Sequence, residues 1–214
     1  MIHPDTELRF INEKIGYGIF AKKDMPKGTI VYVKDEFEVV LSPKKFKKLD
    51  QLHQEIAEKF SYIDNDGMRI ISWDHAKYVN HRCECNTIST GYGFEIAIQD
   101  IYAHEEITDE YGLFNIQQEM YIDCGCSSCR KILSPKDIDT YHSLWDSWVI
   151  ESLKQVENVP QPLWDVMDIK TRSNLMDYLS GKSDYLSVLN LKCSYPKKTK
   201  PCSTVLKLNK EIAA

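Results

Sequence analysis

The chain has no apolar run long enough to cross a bilayer, no excess of positive charge, no internal repeat and no low-complexity tract. The first absence argues against a membrane-embedded role. The second argues against a strongly basic nucleic-acid surface, which needs clustered Lys and Arg to neutralise phosphates. Lys and Arg total 27 against 32 Asp and Glu, a formal net charge of -5. Basic residues do gather locally, at Lys44-Lys45, Lys47-Lys48 and Lys197-Lys198-Thr199-Lys200. In an acidic chain these read as solvated faces. Met1-Ile2-His3-Pro4-Asp5-Thr6-Glu7 lacks the basic start and apolar stretch of a secretory signal, so the expectation is a protein working inside a cell, cytoplasmic or nuclear.

What is present is a chain of 214 residues, long enough to bury a genuine core, with seven cysteines unevenly placed. Five lie between Cys83 and Cys129; Cys193 and Cys202 stand in the C-terminal tail. An odd count containing a Cys-x-Cys-x-x-Cys cluster points to metal ligation rather than a disulfide framework.

Residues 7 to 40 read as short strands broken by turns at Gly16, Gly18 and Asp24-Met25-Pro26-Lys27-Gly28, before the β-rich Thr29-Ile30-Val31-Tyr32-Val33. Ser42-Pro43 then opens a helical stretch with apolar Phe46, Leu49, Leu52, Ile56 and Phe60 at three- and four-residue steps. Asn65-Asp66-Gly67 marks a hairpin between Phe60–Ile63 and Met68–Ile71. Residues 87 to 102 return to strands, with Phe94, Ile96 and Ile98 alternating with Glu95, Ala97 and Gln99. Ser134-Pro135 opens a second helix carrying Ile138, Tyr141, Leu144, Trp145, Trp148, Val149, Leu153 and Val156 on one stripe, read as core packing. Another helix is expected from Pro162 to Ser180, ended by Gly181.

Three blocks carry the chemical signal: Gly16-Tyr17-Gly18, Asn80-His81-Arg82-Cys83-Glu84-Cys85-Asn86, and Glu106-Ile107-Thr108-Asp109-Glu110-Tyr111-Gly112, followed by Cys124-Gly125-Cys126-Ser127-Ser128-Cys129. Their order and spacing resemble the SET-domain protein-lysine methyltransferases with a post-SET cysteine segment, over roughly residues 10 to 130. The resemblance implies a mainly β fold with some α, built of small curved sheets with a pseudoknot near the active site, then a post-SET zinc segment and C-terminal helices. The implied division is a SET domain over 1–112 with a variable insert at 36–70, the zinc segment at 113–133, helices at 134–190 and a flexible tail at 191–214.

The resemblance also implies roles. Ile15, Gly16, Tyr17, Gly18, Asn80, His81 and Tyr111 would hold S-adenosylmethionine, and the Tyr111 hydroxyl would be catalytic. A lysine amine is neutral in only about one molecule in a few thousand at pH 7, so an enzyme that methylates it must deprotonate and orient it. A buried tyrosine hydroxyl can do the orienting without a formal charge. Cys83, Cys124, Cys126 and Cys129 make four thiolates, which a structural tetrahedral zinc satisfies, with Cys85 left open as a substitute ligand. The implied partner is a protein with a target lysine, histone tails among the candidates, with no nucleic acid, no membrane and a homodimer left open.

The sequence departs from the family at Arg82, Cys85, His104 and Asp109; the last stands where Phe or Tyr influences how many methyl groups are added. Plainer readings stand beside these: Asn80-His81 as a turn cap, Tyr111 as a core tyrosine, or a non-catalytic zinc-supported interaction module.

Overall fold

The computed structural model describes residues 1–193, so Cys202 and the tail beyond Cys193 lie outside the described residues. Among the described residues, twelve short strands and four α-helices alternate with single turns of 3-10 helix. The first sheet contains β1 (Thr6–Asn12), β2 (Gly16–Ala21), β10 (Glu106–Asp109) and β7 (Asn80–His81), in the order β1-β2-β10-β7. β2 pairs antiparallel with both β1 and β10, whereas β10 and β7 run parallel, with Thr108 opposite Asn80 and Asp109 opposite His81. Segments far apart in the chain therefore meet side by side, and they are the segments that bear the motifs.

A second sheet, β3-β9-β8, is formed by Ile30–Val33, Phe94–Ala97 and Thr87–Ser89. Its strand β3 is buried on both faces: Ile30 and Val33 belong to the larger core, and Val31 to a smaller one with Ile2, Ile19, Ala21, Ala97 and Ile107. This is why Ala97 is fully buried rather than facing solvent as simple alternation expects. The third sheet, β4-β6-β5 (Val39–Leu41, Arg69–Ile71, Ser61–Ile63), lies in the stretch expected to vary, with Gly67 in a positive-φ turn between its last two strands.

Between β4 and β5 the expected single helix is two. Helix α1 spans Pro43–Phe46 under the Ser42 cap, and α2 spans Gln51–Phe60. Asp50 starts α2 by accepting the His53 amide at 2.9 Å, so its side chain resets the backbone where the apolar spacing reads through.

After the first sheet come a two-stranded hairpin, β11 (Met120–Tyr121) with β12 (Ile132–Leu133), then α3 (Asp137–Leu153) and α4 (Ile169–Leu179). Helix α3 starts at Asp137 without a side-chain cap, two residues beyond Pro135, and Val156 sits in a separate 3-10 turn. Of its stripe, Ile138, Trp145, Val149 and Leu153 are buried with Phe94, Ile96 and Ile88 of the second sheet, while Leu144 is exposed. Helix α4 begins at Ile169, later than Pro162 suggests, because Asp168 caps it by accepting the Thr171 amide. Asp146 on α3 accepts the Tyr185 hydroxyl at 2.8 Å, the Ser187 hydroxyl at 2.7 Å and the Val188 amide at 2.8 Å, fastening the last 3-10 turn (Val188–Leu191) to the helix. Leu191, where a tail was expected to begin, packs against the core.

Candidate active site

The parallel join of β7 and β10 places Asn80, His81 and Tyr111 together, with Gly16–Gly18 on β2 alongside. Asn80 Nδ2 donates to the Tyr17 carbonyl at 3.1 Å and to Glu106 Oε1 at 2.8 Å. One side chain thus links three strands. Glu106, which the sequence offered only as part of a block, fixes the orientation of the Asn80 amide.

The two glycines differ. A side chain at Gly18 would lie 2.6 Å from Glu106 Oε1 and 2.9 Å from Asn80 Nδ2, so that glycine permits close packing of the strands. At Gly16, with φ +85°, a side chain would meet nothing within 4 Å. The backbone of Gly16 therefore faces open space in which a ligand can approach, flanked by the exposed Ile15 and Tyr17. Tyr17 also packs edge-on to Phe10 and Tyr78, at 5.6 and 5.9 Å between ring centroids.

Tyr111 begins a 3-10 turn (Tyr111–Leu113) immediately after β10. Its hydroxyl donates to the Val79 carbonyl at 2.6 Å, and its ring lies 5.0 Å from Phe114 and 5.4 Å from His81. Burial raises its pKa, with the Asp109, Glu95 and Glu106 carboxylates adding to the effect. The hydroxyl stays protonated, and with its hydrogen committed to Val79 its oxygen can accept from an amine. Gly112 follows because a side chain there would come within 2.8 Å of the Trp145 ring of α3.

His81 Nδ1 lies 3.1 Å from the Asp109 carbonyl and 3.3 Å from the Tyr111 amide, and Nε2 lies 3.4 Å from Cys83 Sγ. Burial lowers its pKa to about 4, and Arg130 adds to that, so the imidazole is neutral at pH 7. Asn86, closing the same block, is structural: its Nδ2 donates to the Glu106 carbonyl at 2.8 Å and its Oδ1 accepts the Thr108 amide at 2.9 Å.

The Cys83, Cys124, Cys126 and Cys129 sulfurs all lie within 4.8 Å of one another. Four thiolates at Zn–S distances of about 2.3 Å sit roughly 3.8 Å apart, so this set fits a tetrahedral zinc. Cys85 is not among them; it is buried, and desolvation holds its thiol well above the usual range. Arg130, directly after the last of these four cysteines, donates from Nη2 to Glu110 Oε1 at 2.6 Å and lies over the Tyr141 ring at 4.9 Å. Glu110 Oε1 also accepts the Gly112 amide at 2.8 Å. The cysteine segment is thereby tied to the turn that carries Tyr111, through an ion pair that spacing alone does not reveal.

A cleft of about 1110 Å³ opens near this turn, lined among others by Tyr62, Glu95, Phe114, Asp64, Asp168 and Leu191. Glu95 lines it although strand alternation reads this residue as the outward partner of Phe94 and Ile96.

Residues 16–112 match the family model of the SET domain. The variant-silencing SET domain-containing protein of Plasmodium falciparum (isolate 3D7) is 31% identical over 141 residues, covering 54% of this chain and 5% of that protein. A second protein of that parasite, provisionally named histone-lysine N-methyltransferase 1, is 27% identical over 127 residues, covering 53% of this chain and 2% of that protein. The methyltransferase domain of human histone-lysine N-methyltransferase SETMAR has a TM-score of 0.44 at 18% identity, over 62% of this chain and 58% of that one. The alignments thus span a small fraction of the two parasite proteins.

Proposed function

We propose that the chain, whose residues 16–112 match the SET-domain model, is a protein-lysine N-methyltransferase using S-adenosylmethionine. The observation that carries the reading is the half-buried Tyr111, whose hydroxyl is tied to the carbonyl of the residue preceding Asn80, the side chain that in turn reaches the Tyr17 carbonyl between the two glycines. When bound, S-adenosylmethionine would supply an electrophilic methyl group on a sulfonium. Asn80 and the Gly16–Gly18 backbone would hold its amino-acid end, with the His81 backbone toward the adenine. Tyr111 would accept a hydrogen bond from the target amine and fix its lone pair toward the methyl, a contribution of position and dipole rather than of charge. Cys83, Cys124, Cys126 and Cys129 would hold zinc, which closes the segment after the SET domain against it.

The substrate in this reading is a lysine-bearing protein, and the histone-lysine relative makes histones the first to try. A nuclear or other intracellular location follows from the same reading. The test is transfer of labelled methyl from S-adenosylmethionine to histones, ribosomal proteins or the chain itself. Tyr111→Phe should lower transfer by on the order of a hundredfold with zinc content unchanged. No transfer to any of these proteins, with no cofactor binding, would overturn the enzyme reading in favour of an interaction module.

A further inference from the structure

Asp109 is fully buried, and no hydrogen-bond donor reaches its Oδ2, while Oδ1 accepts only the Glu110 amide at 2.6 Å. The Glu95 carboxyl lies within hydrogen-bonding reach of it, so two acids from different sheets meet. Among the described residues neither acid forms a salt bridge with a Lys, Arg or His. A buried acid pair without a cation is costly unless a proton lies between the two groups or a cation arrives from outside. Glu95 opens onto the 1110 Å³ cleft beside Phe114, the ring on which Tyr111 packs. Glu95 thus faces the cleft, and the charges of both acids act on the Tyr111 hydroxyl.

Resting on the methyltransferase reading, we infer that the Asp109–Glu95 pair is the seat of the acceptor ammonium and the destination of its proton. With one proton on Asp109, the pair carries a single negative charge, on Glu95. The lysine ammonium enters from the cleft, pairs with that charge and gives it one proton, which leaves a neutral amine and two carboxylic acids. The nitrogen lone pair then forms the N–C bond as the methyl–sulfur bond breaks. Those electrons neutralise the sulfonium, and the methylated amine is left carrying one positive charge.

Burial raises the pKa of both acids; the Glu95 charge raises Asp109 further, whereas the hydrogen bond with Asp109 lowers Glu95, so the shared proton belongs on Asp109. Glu38 also raises Glu95, while the Met1 amine lowers it. Glu110 further raises Asp109, and the Tyr62, Cys85 and Tyr111 groups facing the pair are neutral at pH 7. A singly protonated pair is thus available at a pH where an isolated carboxyl would have lost its proton.

The test uses the zinc-loaded chain with n-butylammonium standing in for a lysine side chain, and n-butanol as its uncharged counterpart. Binding of the ammonium but not the alcohol is expected, weakened on the order of tenfold or more in Asp109→Asn and Glu95→Gln. In turnover, the wild-type acid limb of kcat/KM, falling as the pair gains its second proton, should vanish in Glu95→Gln. Equal binding of ammonium and alcohol by the wild type overturns the inference without relying on any variant. So do folded variants with unchanged affinity and pH profile, even if methyl transfer proceeds. Selective ammonium binding that depends on both acids, without transfer to any protein, supports the pair and removes the methyltransferase reading instead.

Discussion

The helical region after residue 136 and the cysteine segment before it both pack against the motif-bearing sheets, yet they are held by different physics. Helix α3 buries Ile138, Trp145, Val149 and Leu153 in the core shared with β3, β8 and β9. The hairpin of β11 and β12 buries little: Tyr121 is 70% exposed and Ile132 is 51% exposed, with Leu133 its one deeply buried residue. Its attachment rests on four sulfurs and on Arg130. Apolar burial is spread over many contacts and fails gradually, whereas a metal site and a single ion pair are each all-or-none. The same side of the molecule therefore combines a permanent brace with a removable one.

If the four cysteines hold zinc as proposed, its removal should separate the two most strongly, since structural zinc contributes about 10–16 kcal/mol in small zinc domains. A chelator is expected to abolish hydrogen-exchange protection over residues 120–133 while α3 keeps its own; simultaneous loss in α3 would show a single cooperative unit. Trp145→Ala strikes the other brace and should cost about 3–5 kcal/mol, read as a fall in the global melting temperature with zinc content retained. Arg130→Met leaves Glu110 buried without its partner and should cost about 3 kcal/mol. Because Arg130 also pairs with Asp137 and lies over Tyr141 on α3, it bridges both regions, so loss of zinc affinity together with melting temperature is expected, and an effect on one alone would break the link. Asp168→Ala removes the α4 cap, should cost about 1 kcal/mol, and should leave the cysteine segment untouched.

The sequence made some of this legible because certain residues act locally. Gly67 reads as a turn from its own backbone requirements, and the cysteine spacing brings three sulfurs together within six residues. The α3 stripe was readable because helical periodicity reports a single apolar surface, and Leu144 misled only because it lies at that surface's margin. What stayed hidden depends on contacts across strands. Glu95 looks solvent-facing in an alternating strand, and only the packing of one sheet against another sets it against Asp109. Glu110 and Arg130 are twenty residues apart, and no local spacing rule joins them. Asp50 ends the apparent helix across residues 43–60 because one capping oxygen outweighs continuous apolar spacing.

The parallel join of β7 to β10 also bears on when the site can exist. Asn80 meets Thr108, and β10 must in turn lie against β2, so residues near positions 18, 80 and 108 close in a single arrangement. Such long loops are entropically slow to close, which places assembly of this sheet late in folding. During synthesis, the N-terminal hairpin of β1 and β2 can form while its later partner is still inside the ribosome. On the proposed function, nascent chains arrested before residue 106 should accordingly show a formed hairpin but no affinity for S-adenosylmethionine, and that affinity should arise in one step once β10 has emerged.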